Sequence, residues 1–398
     1  MIKTLKQIHS NIFIYFSITY FNNFWFITSN WVNYWLKFMT IKDIGFIDAI
    51  AFGIGLLIEI PSGFISDRLG RKTSLICANF LQFLGSFIIT ISVTRYEIAL
   101  GFIVFQIGTA LFTGTIEAFG YEESNEHNFN YDKLLNYSQY LSNFGYLLSL
   151  SIGGYFYLFN QNIPNFLWSI NYLVSMILSL LIISVNAQDK LFYLPEKKFM
   201  IQFKNLIHKF NFRSSFYLIL LSSIVFAFDF GFLKIYILDT FSNLSNNFIY
   251  LALVTVFCLI FSSFLINKFF NFERIIRVSY LILCATLLSN FAFSNSIIIS
   301  FIVLNFLTIY IYQVSMKYIN TRVSDTTRAS FISFFNFSYK LPYIILSILL
   351  GLGLEAVNAG FILGMLAIFL IIMGFLTKII EKIVYNRIVS WGRSSVAE

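Results

Sequence analysis

The sequence is poor in charged residues. Only 12% of its 398 residues are Asp, Glu, Lys or Arg, about half the share found in soluble globular domains. Hydrophobic residues make up 58% of the chain and aromatic residues 20%, which is too apolar for a surface in contact with water. The composition excludes an ordinary soluble protein and indicates a polytopic membrane protein.

Cysteine and histidine are also scarce, with three residues of each. The cysteines lie within apolar runs and show neither metal-ligand spacing nor a disulfide framework. The histidines, His9, His127 and His208, lie in polar gaps, so no histidine proton relay is expected inside the membrane. We therefore predict no metal site and no cofactor.

Several function classes lack their motifs in this chain. There is no Gly-x-x-x-x-Gly-Lys-Ser/Thr phosphate-binding loop, which disfavours an ATP-driven pump. A membrane-embedded enzyme would need a catalytic constellation, and a channel would need a selectivity loop or a pore ring; neither pattern is found. The net charge of +8 fits membrane orientation better than nucleic-acid binding.

Apolar runs recur along the chain at the length of about 20 residues that crosses a bilayer as a helix. Cutting at the polar gaps predicts twelve spans, at 12–36, 45–65, 74–94, 97–118, 134–157, 165–185, 215–238, 247–266, 275–293, 296–318, 329–351 and 356–378. The longest interior gap divides them into two sets of six. We predict an all-α membrane protein whose parts are a first bundle (1–185), a cytoplasmic linker (186–214), a second bundle (215–378) and a cytoplasmic tail (379–398).

The distribution of Lys and Arg predicts the orientation. If both termini are cytoplasmic, the outer loops hold only Lys37, Lys42 and Arg95. Lys234 and Lys340 lie within spans, and all other Lys and Arg face the cytoplasm. This bias follows the positive-inside rule, so we predict that both termini lie on the cytoplasmic side.

A charged stretch, IPSGFISDRLGRK at residues 60–72, separates the second and third spans. Its pattern of glycines and charges, Gly63-x-x-x-Asp67-Arg68-x-Gly70-Arg71-Lys72, is similar to the loop between helices 2 and 3 in the major facilitator superfamily. A degenerate repeat follows the eighth span, FLINKFFNFER at 264–274. The resemblance implies twelve helices in two pseudo-symmetric bundles and transport by alternating access.

The resemblance also implies that this stretch is a gate. In the family it latches the two halves on the cytoplasmic side, where Asp67 meets the start of helix 11, here near residues 326–330. Arg71 would pair with Glu117, and Glu59 would belong to the same cluster. The alternative is that the charges only orient the loop in the bilayer.

Charged residues within spans are functional candidates because inserting them costs about 2.5–3.5 kcal/mol each. Asp229 lies in span 7 and Lys340 in span 11. We expect Asp229 to be a proton or cation site and Lys340 its partner or an anion contact; a purely structural pair is the alternative. Asp48, near the outer end of span 2, is expected to be solvated.

The first span is unusually polar, with the segment YFNNFWFITSNWVNYW. Asn23 and Asn30 are seven residues apart and share a helical face. Together with Trp31 they suit contacts to a neutral or amphipathic solute, and hydrogen bonding between helices is the alternative. Weaker candidates of the same kind are Gln106, Tyr310 and Gln313.

Span 5 bears on the direction of transport. Antiporters of the family carry Gly-x-x-x-Gly-Pro-x-x-Gly-Gly there, and this chain keeps Gly145, Gly153 and Gly154 but has Ser149 and Leu150 in place of the middle Gly and the Pro. We predict proton-coupled export of a drug or metabolite, with uptake of a nutrient as the alternative. The protein is predicted to be a monomer in the cytoplasmic membrane of a bacterium, with a small-molecule substrate, the proton and membrane lipid as its partners.

Overall fold

The computed structural model describes residues 10–28, 30–183, 212–229, 257–258, 261–262, 264–265, 271–292, 296–322 and 325–394. Within these residues the chain forms helices α1 (Ser10–Asn22), α2 (Trp31–Trp35), α3 (Ile41–Leu69), α4 (Arg71–Ile91), α5 (Arg95–Glu126), α6 (Tyr131–Phe159), α7 (Ile163–Leu180), α8 (Phe212–Asp229), α9 (Phe272–Ala292), α10 (Ser296–Arg322), α11 (Asp325–Ala356) and α12 (Ala359–Ser394). Most of the predicted linker and of the eighth span lies outside the described residues. The all-α prediction is confirmed.

Five of the described helices are long and apolar enough to cross a membrane, judged by length and composition. They are, in whole or in part, Arg71–Ile91, Arg95–Glu126, Ile163–Leu180, Phe337–Ala356 and Ala359–Leu376. Many large apolar side chains on these helices are exposed, including Leu100 and Phe375. An outward-facing apolar surface of this kind suits lipid rather than water.

The chain divides into two compact units. The first contains the described residues up to Ile183 together with Ser347–Leu352, and the second contains α8 to α10, most of α11 and α12. The predicted bundle boundaries stay a prediction, and Ser347–Leu352 belongs to the first unit. The reason is close packing, since a Cβ on Gly45 would lie 2.5 Å from the Ser347 carbonyl oxygen.

Glycines let α4 and α5 approach closely in the first unit. A Cβ on Gly85 would lie 2.5 Å from the Gly101 carbonyl oxygen, and one on Gly108 would lie 2.7 Å from the Gln82 nitrogen. Contacts this short exist only where side chains are absent. The two backbones therefore touch over two turns and form a rigid centre.

Helix α3 runs alongside α5 in a constant register. The rings of Phe52 and Phe102 are 6.1 Å apart, and a Cβ on Gly55 would meet the Gln106 carbonyl oxygen at 3.4 Å. This register brings Gln106, 7% exposed, against the middle of α3.

The first predicted span is wrong as one continuous helix. Helix α1 ends at Asn22, the backbone is irregular at residues 23–28 and at Asn30, and α2 begins at Trp31. Asparagine competes with helical hydrogen bonding through its own side chain. Four asparagines in twelve residues are sufficient reason for the helix to break here.

Helix α5 continues about two turns beyond the predicted end of span 4. Its last part packs on the first helix, where a Cβ on Gly120 would lie 2.6 Å from the Tyr15 ring. The inner core of the first unit includes Ile12, Tyr15 and Phe119. Helix α12 likewise continues through residues that the sequence assigned to a tail.

The second unit is joined by tyrosine hydroxyls that donate to backbone carbonyls across helices. The Tyr217 hydroxyl donates to Gly374 at 3.1 Å, and the Tyr280 hydroxyl donates to Leu370. Asn290 donates to the Ser300 hydroxyl oxygen at 2.9 Å. These bonds tie α8 and α9 to α12, and α9 to α10.

Candidate functional site

The turn between α3 and α4 is a single residue, Gly70. Its φ is +82° and its ψ is 153°, a region essentially reserved for glycine. Its N–H donates to the Ser66 carbonyl at 3.0 Å, and its own carbonyl accepts from Ser74 at 3.1 Å. The charged stretch 60–72 is therefore two helix ends joined by one strained residue, rather than a loop.

Arg71, the first residue of α4, joins three helices. Its Nε and Nη2 each lie 2.9 Å from a carboxylate oxygen of Glu122 on α5. Its Nη1 donates to the Ser66 hydroxyl on α3 at 2.8 Å. The carboxylate that contacts Arg71 is thus that of Glu122, which lies more than one turn beyond the predicted partner Glu117. A contact between Arg71 and Glu117 stays a prediction.

Lys72 extends the same cluster to the end of α7. Its ammonium donates to the Ile182 carbonyl at 2.7 Å, where a cation stabilises the carbonyls at a helix C-terminus. Arg68 is exposed, and the Glu59 carbonyl accepts from Ser62 at 2.8 Å. The motif residues therefore join the C-terminal ends of α3, α5 and α7 to the N-terminal end of α4.

Two motif residues, Gly63 and Asp67, lie on α3, and the Asp67 side chain is outside the described part of the structure. Asp67 is two residues before the end of α3, and Gly63 is one turn further back. Helix α11 begins at Asp325, beside the predicted partner segment 326–330. The contact between Asp67 and that segment stays a prediction.

The break in the first span is held by amides from other helices. Asn171 on α7 donates to the carbonyl oxygens of Phe21 and Phe24, and the Phe21 carbonyl also accepts from the Phe24 N–H at 3.0 Å. The Trp25 indole N–H donates to the Asn22 carbonyl at 2.9 Å. The irregular backbone is therefore satisfied by protein groups, as a non-helical segment at membrane depth requires.

The span 1 asparagines make contacts between helices. Asn23 donates to the Ser142 hydroxyl at 3.0 Å and to the Thr19 carbonyl at 2.8 Å. Asn30 is 1% exposed and approaches the Gly153 carbonyl at 3.4 Å. These bonds favour the interhelical role that the sequence left open, while a solute-binding role stays a prediction.

The sequence did not predict a hydrogen bond between Asn22 and Asn79. Asn22 donates to Asn79 on α4 at 2.8 Å, and Asn79 donates to the Ser179 hydroxyl on α7 at 2.9 Å. Asn79 and Asn171 are amides inside otherwise apolar spans, and this feature could have identified them. The network connects the break to α4 and α7.

An aromatic cluster surrounds the outer side of the break. Phe105 on α5 lies 4.7 Å from Trp168 and 5.3 Å from Tyr172 on α7, and Trp25 packs edge-on at 6.1 Å. The predicted Trp31 packs instead edge-on against Trp35, with ring centroids 4.8 Å apart. The cluster makes this part of the first unit rigid and apolar.

The remaining solute candidates lie in the second unit. Tyr310 is buried and stacks on Phe306 at 5.3 Å. The Gln313 amide oxygen accepts from the Ser262 hydroxyl at 3.1 Å. Tyr310 thus packs along α10 itself and Gln313 contacts a residue outside α10, and the contact of either residue with a solute stays a prediction.

The two predicted intramembrane charges lie on helices that touch. Ser223 on α8 donates to the Tyr339 carbonyl on α11 at 2.9 Å, and the Phe226 ring packs on Tyr343 at 4.9 Å. Lys340 is half-buried beside this contact, and Asp229 is the last residue of α8. The Asp229 side chain lies outside the described residues, so its pairing with Lys340 stays a prediction.

Asp48 differs most from its expected environment. The sequence suggested a solvated position near the outer end of span 2, but the side chain is 0% exposed. It lies one helical turn inward of Gly45, the glycine on which Ser347 and Gly351 pack. A carboxyl buried within a membrane span is a functional candidate, and the sequence interpretation of Asp48 was wrong.

The family model of the Major Facilitator Superfamily matches residues 12–347. The chain belongs to the major facilitator superfamily. Membership makes it an integral, multi-pass membrane transporter rather than an enzyme, and confirms the predicted fold. No curated protein matches the sequence with significance.

Solved structures agree on the fold. The nucleoside transporter NupG is similar with a TM-score of 0.68 at 12% identity, covering 92% of this chain and 97% of that one. A D-xylose-proton symporter gives 0.63 at 13% identity, covering 91% and 96%. A POT family transporter in complex with 5-aminolevulinic acid gives 0.69 at 12% identity, covering 93% and 96%. At these identities the likeness concerns the fold alone.

Proposed function

We propose that the protein is a secondary active transporter that moves a small organic solute by alternating access and couples the movement to protons. It acts as a monomer in the cytoplasmic membrane of a bacterium, with both termini in the cytoplasm. The family supplies the transport class. The burial of Asp48 is the observation that carries the proton coupling.

The burial of Asp48 supports a coupling role. Removing a charged carboxylate from water costs free energy, so an apolar residue would serve better if only packing were required. Asp48 lies beneath the tight contact of Gly45 with Gly351, whose Cα atom would be 3.0 Å from a Cβ on Gly45. Opening of this contact would expose the carboxyl to outer water and allow proton exchange.

The inner end of the first unit supports a gating role for the motif. The Arg71 and Lys72 side chains join helix ends by bonds that can break and re-form. We propose that Asp67 completes this latch with the start of α11. Replacing Asp67 with Asn, or Gly63 with Leu, is expected to impair transport while expression and topology stay normal; normal transport in both variants would reduce the motif to an orientation signal.

Export of a drug or metabolite remains the first proposal for direction. It is favoured by the antiporter-like glycines of span 5, although packing also explains one of them, since a Cβ on Gly153 would overlap the Phe26 carbonyl. Uptake is the second candidate, because the symporter and the nucleoside transporter named above are fold neighbours. Asn23, Asn30 and Gln106 are the proposed solute contacts in the first unit, with Tyr310 and Gln313 in the second.

The test is solute-driven proton movement in liposomes that contain the purified protein and a pH-sensitive dye. A panel of nucleosides, sugars, amino acids and cationic antimicrobials is added outside, without ATP. Saturable proton flux that follows one solute supports the proposal, and the sign of the pH change separates antiport from symport. Non-saturating conductance, or solute flux that ignores a pH gradient, would reject the proton coupling.

The variants Asp48→Asn and Asp229→Asn identify the coupling residue. A coupling carboxyl is lost on amidation, whereas the matched control Glu355→Gln removes an exposed acid and should transport normally. Unchanged pH dependence in Asp48→Asn would exclude Asp48. Unchanged transport in both Asp229→Asn and Lys340→Ala would exclude that pair.

A further inference from the structure

Three side chains of types that can bind a metal ion lie together at the C-terminal end of α5. A carboxylate oxygen from each of Glu123 and Glu126 and a ring nitrogen of His127 all lie within 4.8 Å of one another. The residues are at positions i, i+3 and i+4, so they share one face of the helix end. They form the only such group in the described part of the chain.

Glu123 is held in place as a metal ligand would be. The side chain is 6% exposed, and its Oε1 accepts from the Asn11 amide at 2.9 Å. Asn11 is itself fixed by Ile183, accepting from its N–H and donating to its carbonyl, both at 3.0 Å. Ligating carboxylates are commonly oriented by such second hydrogen bonds.

The distance from Glu123 to His127 suits a shared metal ion better than a direct bond. Oε2 and Nε2 are 3.4 Å apart, whereas charge-assisted N–H···O bonds are about 2.7–2.9 Å long. Two ligands of a tetrahedral zinc ion, each about 2.0–2.2 Å from the metal, are about 3.3–3.5 Å apart. The pair therefore has the spacing of two ligands on one ion.

The neighbouring charges leave the cluster acidic. Glu122 is paired with Arg71 at 2.9 Å, and Lys72 donates to the Ile182 carbonyl. The two carboxylates at the cluster would be balanced by a divalent cation with a neutral imidazole. Imidazole as a ligand favours zinc and similar transition metals over calcium or magnesium.

We propose that Glu123, Glu126 and His127 bind one divalent transition-metal ion of the zinc type, with water in the fourth position. The ion fastens the end of α5, through Asn11, to α1 and to the residue Ile183 that follows α7. This site is separate from solute transport, and the cysteine and histidine spacing gave no indication of it.

The experiment uses full-length protein in detergent, purified without a polyhistidine tag and stripped with a chelator. Zinc is titrated by calorimetry, and thermal unfolding is followed with and without zinc. We expect one ion per chain and a higher unfolding temperature with zinc, because a ligand of the folded state stabilises it. Calcium and magnesium at the same concentration should give neither effect.

Matched variants locate the site. Glu126→Gln and His127→Gln should each weaken zinc binding at least tenfold, and Asn11→Ala should weaken it about 10–100-fold, as loss of an outer-shell partner does. Asn125→Ala, an exposed neighbour, and the double variant His9→Ala/His208→Ala should bind zinc like the wild type.

Three results would contradict the proposed zinc site. Equal zinc affinity in the wild type, Glu126→Gln and His127→Gln would overturn the proposal even if some zinc binds. Absence of saturable zinc binding to a folded wild-type protein would also overturn it, and would make Glu123 and His127 an ion pair only. Binding of magnesium or calcium as tight as zinc would contradict the role of the imidazole.

Discussion

Replacing Gly70 with Ala tests whether the motif works through backbone conformation. Gly70 is the single residue between α3 and α4, with a φ of +82° and a ψ of 153°. A Cβ at this position would contact nothing within 4 Å. The substitution therefore adds no clash with neighbours and isolates the cost of the backbone conformation.

The cost of placing a non-glycine residue in this region is about 1–3 kcal/mol. At about 1.4 kcal/mol per tenfold change in an equilibrium constant, this cost lowers the ratio of folded to unfolded protein by about 5- to 150-fold. For a chain of 398 residues, the per-residue unfolding entropy converts this loss to about 1–4 °C in the unfolding temperature.

The assay is thermal unfolding of purified Gly70→Ala in detergent, together with transport in liposomes. We expect a lower unfolding temperature and slower transport, because the strained turn positions Arg71 and Lys72. Gly114→Ala is the matched control, since its Cβ would meet only the Ser62 hydroxyl at 3.7 Å. Wild-type stability and transport in Gly70→Ala would refute the argument from the turn.

Three further substitutions test the packing and the latch. Asn171→Ala should destabilise the protein by about 1–3 kcal/mol, because it removes the amide that donates to the Phe24 carbonyl in the break; a denaturant titration with an unshifted midpoint would contradict this. Gly85→Val should prevent close packing of α4 and α5 and abolish folded yield on size-exclusion chromatography, whereas Gly114→Val is expected to retain most of it. Arg71→Lys keeps the charge but loses the two-point contact with Glu122, so transport should fall at normal expression, and full activity would show that charge alone suffices.

The sequence predicted the architecture because lipid imposes simple rules on composition. Apolar runs of sufficient length had to be helices, and the bias of Lys and Arg fixed a predicted orientation. The conformation of Gly70 also followed from its place in the motif, since a tight turn between two helices needs a residue without a Cβ.

Other features depended on contacts that a single sequence does not display. The break at Asn23–Asn30 is stabilised by Asn171, which is distant in the sequence. The burial of Asp48 results from packing near the outer end of α3, where position along the helix suggested solvent. The contact of Glu122 with Arg71 was missed because α5 continues past the predicted end of its span.

Glu123 is another charged residue whose burial the sequence did not predict. Periodicity assigns this residue to a polar gap, but the longer α5 carries it back against α1, where it is 6% exposed. Only the folded arrangement brings it beside His127. A search of the sequence for metal ligands by spacing would still have missed Asn11, which orients it.

The most direct test of the central claim compares solute exchange with uphill transport in liposomes containing wild-type protein or Asp48→Asn. If Asp48 couples protons to the solute, the variant should exchange labelled solute across the membrane at a normal rate but fail to accumulate it against a gradient when a pH difference is imposed. The wild type should do both. Uphill transport by Asp48→Asn equal to that of the wild type would contradict the account.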